Sequence, residues 1–172
     1  MTCKFNWSKL AIYGITRNTD TNEYLMVFQY ANKGSLHKYL RSNFRELTWQ
    51  AKLQLLKDIS LELRHIHEFA GYIHADFHSG NILHDQRNNE NAQSYIADLG
   101  LSRKKDDKNV SEDDIYGVMP YVAPEVLLGK GFTQAADIYG FGVIMAEMST
   151  GKRPFDGQKF DLKLALKIIK GE

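Results

Sequence analysis

The residue types that could do chemistry gather in one stretch, His74-Ala75-Asp76-Phe77-His78-Ser79-Gly80-Asn81, followed at once by Ile82 and Leu83. A carboxylate, a carboxamide five residues later and a glycine beside it lie between two short apolar runs. That is the pattern of a polar loop held on a rigid scaffold, where catalytic and binding groups concentrate. A second carboxylate with a turn glycine, Asp98-Leu99-Gly100, follows the short run Tyr95-Ile96-Ala97. Each feature alone has a structural reading, because Asp-x-Gly turns follow many strands and an aspartate and an asparagine at this spacing occur by chance in most chains of this size. The histidines do not suggest a zinc site. His65 and His67 fall on different faces of a helix, and His74, His78 and His84 lack the spacing of such a site.

Elements that could position these groups follow from the apolar pattern. Residues 9–16 and 24–30 are short, rich in aromatic or branched side chains, and separated by Asn18-Thr19-Asp20-Thr21-Asn22, which predicts an antiparallel hairpin. Ser35 can cap a short helix ending near Ser42, and Thr48 a longer one through about Phe69, with Leu53, Leu56, Ile59, Leu63 and Ile66 on its apolar face. Residues 82–84 and 94–97 bracket a polar tip, Asp85 to Gln93, as a second hairpin would. The span from Arg103 to Asp114 is charged and without apolar periodicity, hence a surface loop. Ala123 to Gly129 and Asp137 to Met148 are helix candidates, the second apolar on nearly all faces and so expected to be buried. Leu162 to Ile169 reads as an amphipathic helix ending at Gly171.

Composition bounds the rest. A chain of 172 residues, 43% hydrophobic and 25% charged, falls in the ordinary globular range for one domain or a large part of one. A net charge of +1 offers no electrostatic footprint for nucleic acid. One cysteine, Cys3, excludes an internal disulfide framework and fits a reducing compartment. No signal peptide is visible at the start, and no apolar run approaches the roughly 20 residues of a membrane span. These features favour a cytoplasmic chain and leave its oligomeric state open.

Taken in order, the motifs resemble those of protein kinases. His74 to Asn81 is similar to the catalytic loop H-R-D-x-x-x-x-N, with Ala75 in place of the arginine. Asp98-Leu99-Gly100 resembles D-F-G, Ala123-Pro124-Glu125 matches A-P-E, and Asp137 to Gly142 looks like the buried helix whose aspartate braces the catalytic loop. Upstream, Phe28 to Leu36 looks like the hinge and the helix after it. The resemblance runs from about residue 9 to the end. It implies an α+β, protein-kinase-like fold, mainly the helical C-lobe (32–172) plus a residual β-hairpin and hinge of the N-lobe (9–31).

What the resemblance implies for chemistry is specific. Asp76 would be the base for an incoming hydroxyl, with Asn81 and Asp98 as ligands of magnesium bridging the phosphates of ATP. A carboxylate suits both tasks, being anionic at neutral pH and accepting in two directions, and the carboxamide supplies a neutral oxygen. Phe28 would stand at the gatekeeper position, the backbone of Gln29, Tyr30 and Ala31 against adenine, and Leu83 beneath it. The partner would be a protein substrate. His78 stands where serine/threonine kinases usually carry lysine and Val118 where threonine is common, yet Pro120-Tyr121 lacks the tryptophan common in tyrosine kinases. The combination is similar to the tyrosine-kinase-like group, which favours serine or threonine as acceptor. No glycine-rich loop, V-A-I-K lysine or partner glutamate is seen before residue 9, so the expectation is of a domain cut at both ends with little phosphotransfer of its own. Two other readings stand beside this one. Aminoglycoside-type phosphotransferases share H-x-D-x-x-x-x-N but lack the A-P-E element and the Asp137 helix, and a pseudokinase-like or truncated interaction module would need no turnover at all.

Overall fold

The computed structural model describes residues 10–86, 92–105 and 116–171. Its first element is the expected hairpin, β1 (Ile12–Arg17) paired antiparallel with β2 (Tyr24–Phe28). The turn forms because the Asn18 side-chain oxygen accepts from the Asp20 N–H at 2.9 Å while Asn22 takes a left-handed conformation, φ 65°, that asparagine tolerates. Next come α1 (Leu36–Asn43) and α2 (Trp49–Arg64), capped by Ser35 and Thr48 through hydrogen bonds to the N–H groups of Lys38 and Ala51.

The long helix departs from the expectation in two ways. Its last turn, His65–Phe69, is π-helical. Its buried face is Leu55, Ile59, Leu63 and Ile66, while Leu53 is 61% exposed. At 3.6 residues per turn Leu53 lies about 120° around the axis from Ile59 and Leu55 only about 40°. Apolar type alone had favoured the wrong leucine.

The short β3 (Tyr72–Ile73) leads into the loop of interest, which ends in a single 3-10 turn, Ser79–Asn81. The second hairpin is β4 (Ile82–Asp85) with β5 (Gln93–Ile96), in the register Ile82↔Ile96 and Leu83↔Tyr95. Of its expected polar tip, residues 87–91 lie outside the described residues. The expected loop from Arg103 begins differently: β6 (Arg103–Lys104) pairs antiparallel with β3, in the register Tyr72↔Lys104 and Ile73↔Arg103. The remainder of that loop, 106–115, lies outside the described residues.

Three helices close the chain: α3 (Pro124–Leu127), α4 (Gln134–Thr150) and α5 (Leu162–Lys170). Thr133 caps α4, so the helix starts before the expected Asp137, and Gly151 at φ 73° ends it. Its burial is one-sided rather than complete: Asp137, Gly140, Ile144, Glu147 and Met148 face the core, whereas Ile138 and Met145 are half exposed. The core joins α1, α2, α4 and the second hairpin through Leu36, Leu40, Ile59, Leu63, Ile66, Ile82, Ile96, Ile144 and Met148.

Helix α4 supports the loop through close contact at Gly140. A Cβ there would stand 2.6 Å from the Phe77 carbonyl oxygen, a backbone atom that cannot swing aside. Helix propensity favours alanine over glycine by about 1 kcal/mol, whereas forcing an atom into a filled interior costs about 1–3 kcal/mol. Steric cost wins. Gly140→Ala is expected to lower the unfolding free energy by about 1–2 kcal/mol in denaturant titration, and Gly142→Ala, with open space around its Cβ, to leave it unchanged or raised.

Candidate active site

The loop backbone is anchored from below by one carboxylate. Asp137, 2% exposed in α4, accepts from the N–H groups of His74 and Ala75 at 2.8 and 3.0 Å and from His67 Nε2 at 2.8 Å. Ala75 is thereby held at φ 68°, a conformation that non-glycine residues occupy only when their surroundings enforce it. His74 is fully buried, and its Nε2 donates to the Ala97 carbonyl at 3.1 Å. Burial pushes its pKa below the ordinary histidine value, so it packs as the neutral ring.

Above this anchor Asp76 presents its carboxylate. Asn81 Nδ2 donates both to the Asp76 carbonyl and to Oδ2, each at 3.0 Å, and His78 Nε2 lies 3.5 Å from the same Oδ2. Gly117 approaches from the far segment, where an added Cβ would stand 3.1 Å from Oδ1. The His78 imidazole, with Asn81 assisting, holds the Asp76 carboxyl below the usual carboxylate range against the opposing effect of burial. Sequence reasoning singled out Asp76 and Asn81 but gave neither His78 nor Gly117 a place at the carboxylate. The i,i+2 spacing of Asp76 and His78 was the available signal for the first; nothing local points to Gly117.

A cleft of about 560 Å³ opens between the first hairpin and the second, within the range of about 300–1,000 Å³ usual for small-molecule sites. Leu10 and the hairpin residues Ile12, Met26 and Phe28 line it on one side, Leu83 and Ile96 of the second hairpin on the other, together with Asp98 and the residues beside it. Of the nucleotide-site candidates, Phe28, Leu83 and Asp98 are thus brought together. Gln29, Tyr30 and Ala31 are not among the lining residues. The Gln29 N–H is committed to the Ala11 carbonyl at 2.8 Å and its side chain to Tyr95 at 3.1 Å, Tyr30 is 77% exposed, and Ala31 is buried. Asp98 takes a left-handed conformation, φ 59°, the second non-glycine residue of the site so held.

Tyr121, two residues before the A-P-E stretch, meets the loop through a buried polar chain. Tyr121 Oη donates to Glu147 Oε2 at 2.6 Å and contacts Ser79 Oγ at 3.0 Å, and His37 Nδ1 donates to the other oxygen of Glu147 at 2.7 Å. Burial, reinforced by Glu147, pushes the Tyr121 hydroxyl far above its ordinary pKa, so it remains a donor.

Comparison with known proteins agrees with this geometry. A family profile described as protein tyrosine and serine/threonine kinase matches residues 4–171. The chain belongs to the protein kinase family. It is 34% identical over 142 residues to calcium/calmodulin-regulated receptor-like kinase 1 of Arabidopsis thaliana, covering 80% of this chain and 31% of that protein. It is 36% identical over 137 residues to the leucine-rich repeat receptor-like protein kinase PEPR2 of the same plant, covering 77% of this chain and 12% of that one. It is 33% identical over 132 residues to the probable serine/threonine-protein kinase roco5 of Dictyostelium discoideum, covering 76% of this chain and 5% of that one. The chain therefore spans less than a third of the length of these kinases. Its α+β architecture is that of the kinase fold, mostly the helical lobe with strands of the other. Kinases as a family use ATP with a divalent metal ion. Among the described residues no helix is long and apolar enough to cross a membrane.

The depressed pKa of Asp76 has a stability consequence. A group whose folded pKa lies below its unfolded one contributes stability that is full above the unfolded value, about 3.9, and lost as pH falls through the folded value. Asp76→Asn removes that contribution. The variant should unfold more easily than wild type at pH 7, and the gap in Tm should close on acidification below about pH 3.9. Thermal unfolding followed by circular dichroism across that window checks both.

Proposed function

We propose that the chain is the nucleotide- and acceptor-binding part of a protein kinase that transfers the terminal phosphoryl group of ATP to a serine or threonine hydroxyl. The observation that carries the reading is that Asp98 lines the same apolar cleft as Phe28 and Leu83, downstream of the loop that presents Asp76 and Asn81. In this reading residues 9–31 form the hairpin and hinge of the upper lobe and 32–172 the lower lobe. Adenine lies between Phe28 and Leu83.

The polar groups suit the reaction. Asp76, kept anionic, accepts the proton of the incoming hydroxyl and aims its oxygen at phosphorus. Asn81 spends its Nδ2 on Asp76, which leaves its carboxamide oxygen as the end available to a cation. Among the described residues no group of three or more His, Cys, Asp or Glu could hold a metal alone. One carboxylate and one amide oxygen fit magnesium, which takes few protein ligands and completes its shell with phosphate and water. When bound, the ion would neutralise charge on the phosphates. Asp98, an exposed residue of the cleft lining, and Asn81 are the residues that would hold it. Choice of serine or threonine is supported by the relative named as a serine/threonine-protein kinase and by the lack of the tyrosine-kinase tryptophan after Pro120. A cytoplasmic setting goes with the use of ATP and magnesium.

The test is calorimetric titration of the purified chain with ATP, with and without magnesium, beside Asp98→Asn. Binding that needs magnesium and is weakened tenfold or more, about 1.4 kcal/mol, in the variant is the expected result. A folded chain that binds no nucleotide under either condition would overturn the catalytic reading in favour of an interaction module.

A further inference from the structure

We propose that His78 is a positioning residue for Asp76: a neutral imidazole, held with its proton on Nε2, that fixes one carboxylate oxygen and leaves the other for the acceptor hydroxyl. This rests on the kinase reading for the identity of the acceptor, but its geometry does not. The Gly80 N–H donates to His78 Nδ1 at 3.0 Å. A ring nitrogen that accepts carries no proton, so in the neutral ring the proton is on Nε2. That atom lies 3.5 Å from Asp76 Oδ2. The distance is long for a hydrogen bond, as catalytic contacts often are before substrate arrives to tighten them.

The ring has little choice of place. A Cβ on Gly80 would stand 2.6 Å from His78 Cε1 and 2.7 Å from Nδ1, so the imidazole lies against bare backbone that only glycine provides. The Tyr121 ring flanks it, with centroids 5.8 Å apart. Asn81 Nδ2 meets the same Oδ2 at 3.0 Å. Asn81 Nδ2 therefore donates to Oδ2 with His78 Nε2 3.5 Å away, while Oδ1 has no donor among the described residues and faces Gly117, whose missing side chain keeps that approach open. A carboxylate fixed at one oxygen cannot rotate about its Cβ–Cγ bond, so the other lone pairs are aimed before the hydroxyl enters. Asp76, His78 and Gly80 thus act as a unit. A protonated ring would not serve: Nδ1–H and the Gly80 N–H would be two donors face to face.

Two measurements on the full-length protein decide it. With 15N-labelled histidine, the His78 ring nitrogens, assigned by their loss in His78→Gln, should show the protonated Nε2 and unprotonated Nδ1 of the neutral ring. In steady-state phosphoryl transfer, His78→Ala should lower kcat about tenfold with the acceptor KM within about twofold, since the contribution is to orientation rather than binding. His78→Gln, which offers an N–H near the Nε2 position, should recover most of the loss. Gly80→Ala should match His78→Ala, and the double variant should fall no further, as for residues acting through one interaction. An Nδ1–H or doubly protonated ring overturns the proposal, as does an unchanged kcat or additive losses. Lack of turnover in the wild type counts against the kinase reading alone, and the nitrogen spectrum then decides this one.

Discussion

The site depends first on the buried carboxylate of Asp137. An ionised group removed from water in a helix facing the core is costly unless its lone pairs are met by donors. Here three donors meet them: two N–H groups from successive residues of the loop and the ring of His67. The dependence is mutual. Without Asp137 the N–H groups of His74 and Ala75 would be buried and unsatisfied, at about 1–3 kcal/mol each. Without the loop in this conformation the carboxylate would be stranded. One contact thus ties the position of Asp76, the next residue, to the hydrophobic core through the body of α4.

Two of the four described non-glycine residues with positive φ lie in the site. Ala75 and Asp98 both occupy left-handed conformations, at φ 68° and 59°, which cost about 1 kcal/mol or more apiece for residues other than glycine. Ala75 is held by Asp137 on one side and its own burial on the other. Asp98 follows β5, where the Ala97 N–H donates to the Asn81 carbonyl at 2.8 Å, so the stretches bearing Asn81 and Asp98 are sewn together by backbone. The polar chain from His37 through Glu147 and Tyr121 to Ser79 adds a second tie, from α1 and α4 to the same loop.

Much of this frame was legible in the sequence because its determinants are local. Ser35 and Thr48 announce helices α1 and α2, the run Asn18 to Asn22 announces the first hairpin, and the polar interval between Ile73 and Ile82 announces the loop. The failures have a common cause. Leu53 and Leu55 differ only in angle around a helix, and a one-residue error in phase exchanges core for solvent. Ile138 and Met145 read as buried because residue type does not say which neighbours are present. The pairing of Arg103 with Ile73, the approach of Gly117 to Asp76 and the Glu147 network join residues 26 or more apart, and no local pattern encodes such encounters. Spacing gave the loop its candidates; only the fold says which atoms meet.

The cleft is built on two unequal walls. Its floor is Leu83, partly buried, and Ile96, which belongs to the core and whose truncation would cost about 2–5 kcal/mol. Its other wall is, among the described residues, a two-stranded ribbon, a form of marginal stability by itself, whose residues Tyr13, Ile15 and Tyr24 are more than half exposed. What fixes that wall to the floor is largely polar. Gln29 bonds to Tyr95, the Asn32 N–H donates to Asp85 at 3.1 Å, and Lys33 and Gly34 pair with His84. Such bonds contribute about 1 kcal/mol each, so the ribbon's orientation rests on a few directional contacts at its base. The geometry of Asp76 is therefore set by the core, while the width of the cleft is set by the short joint between Phe28 and Leu36.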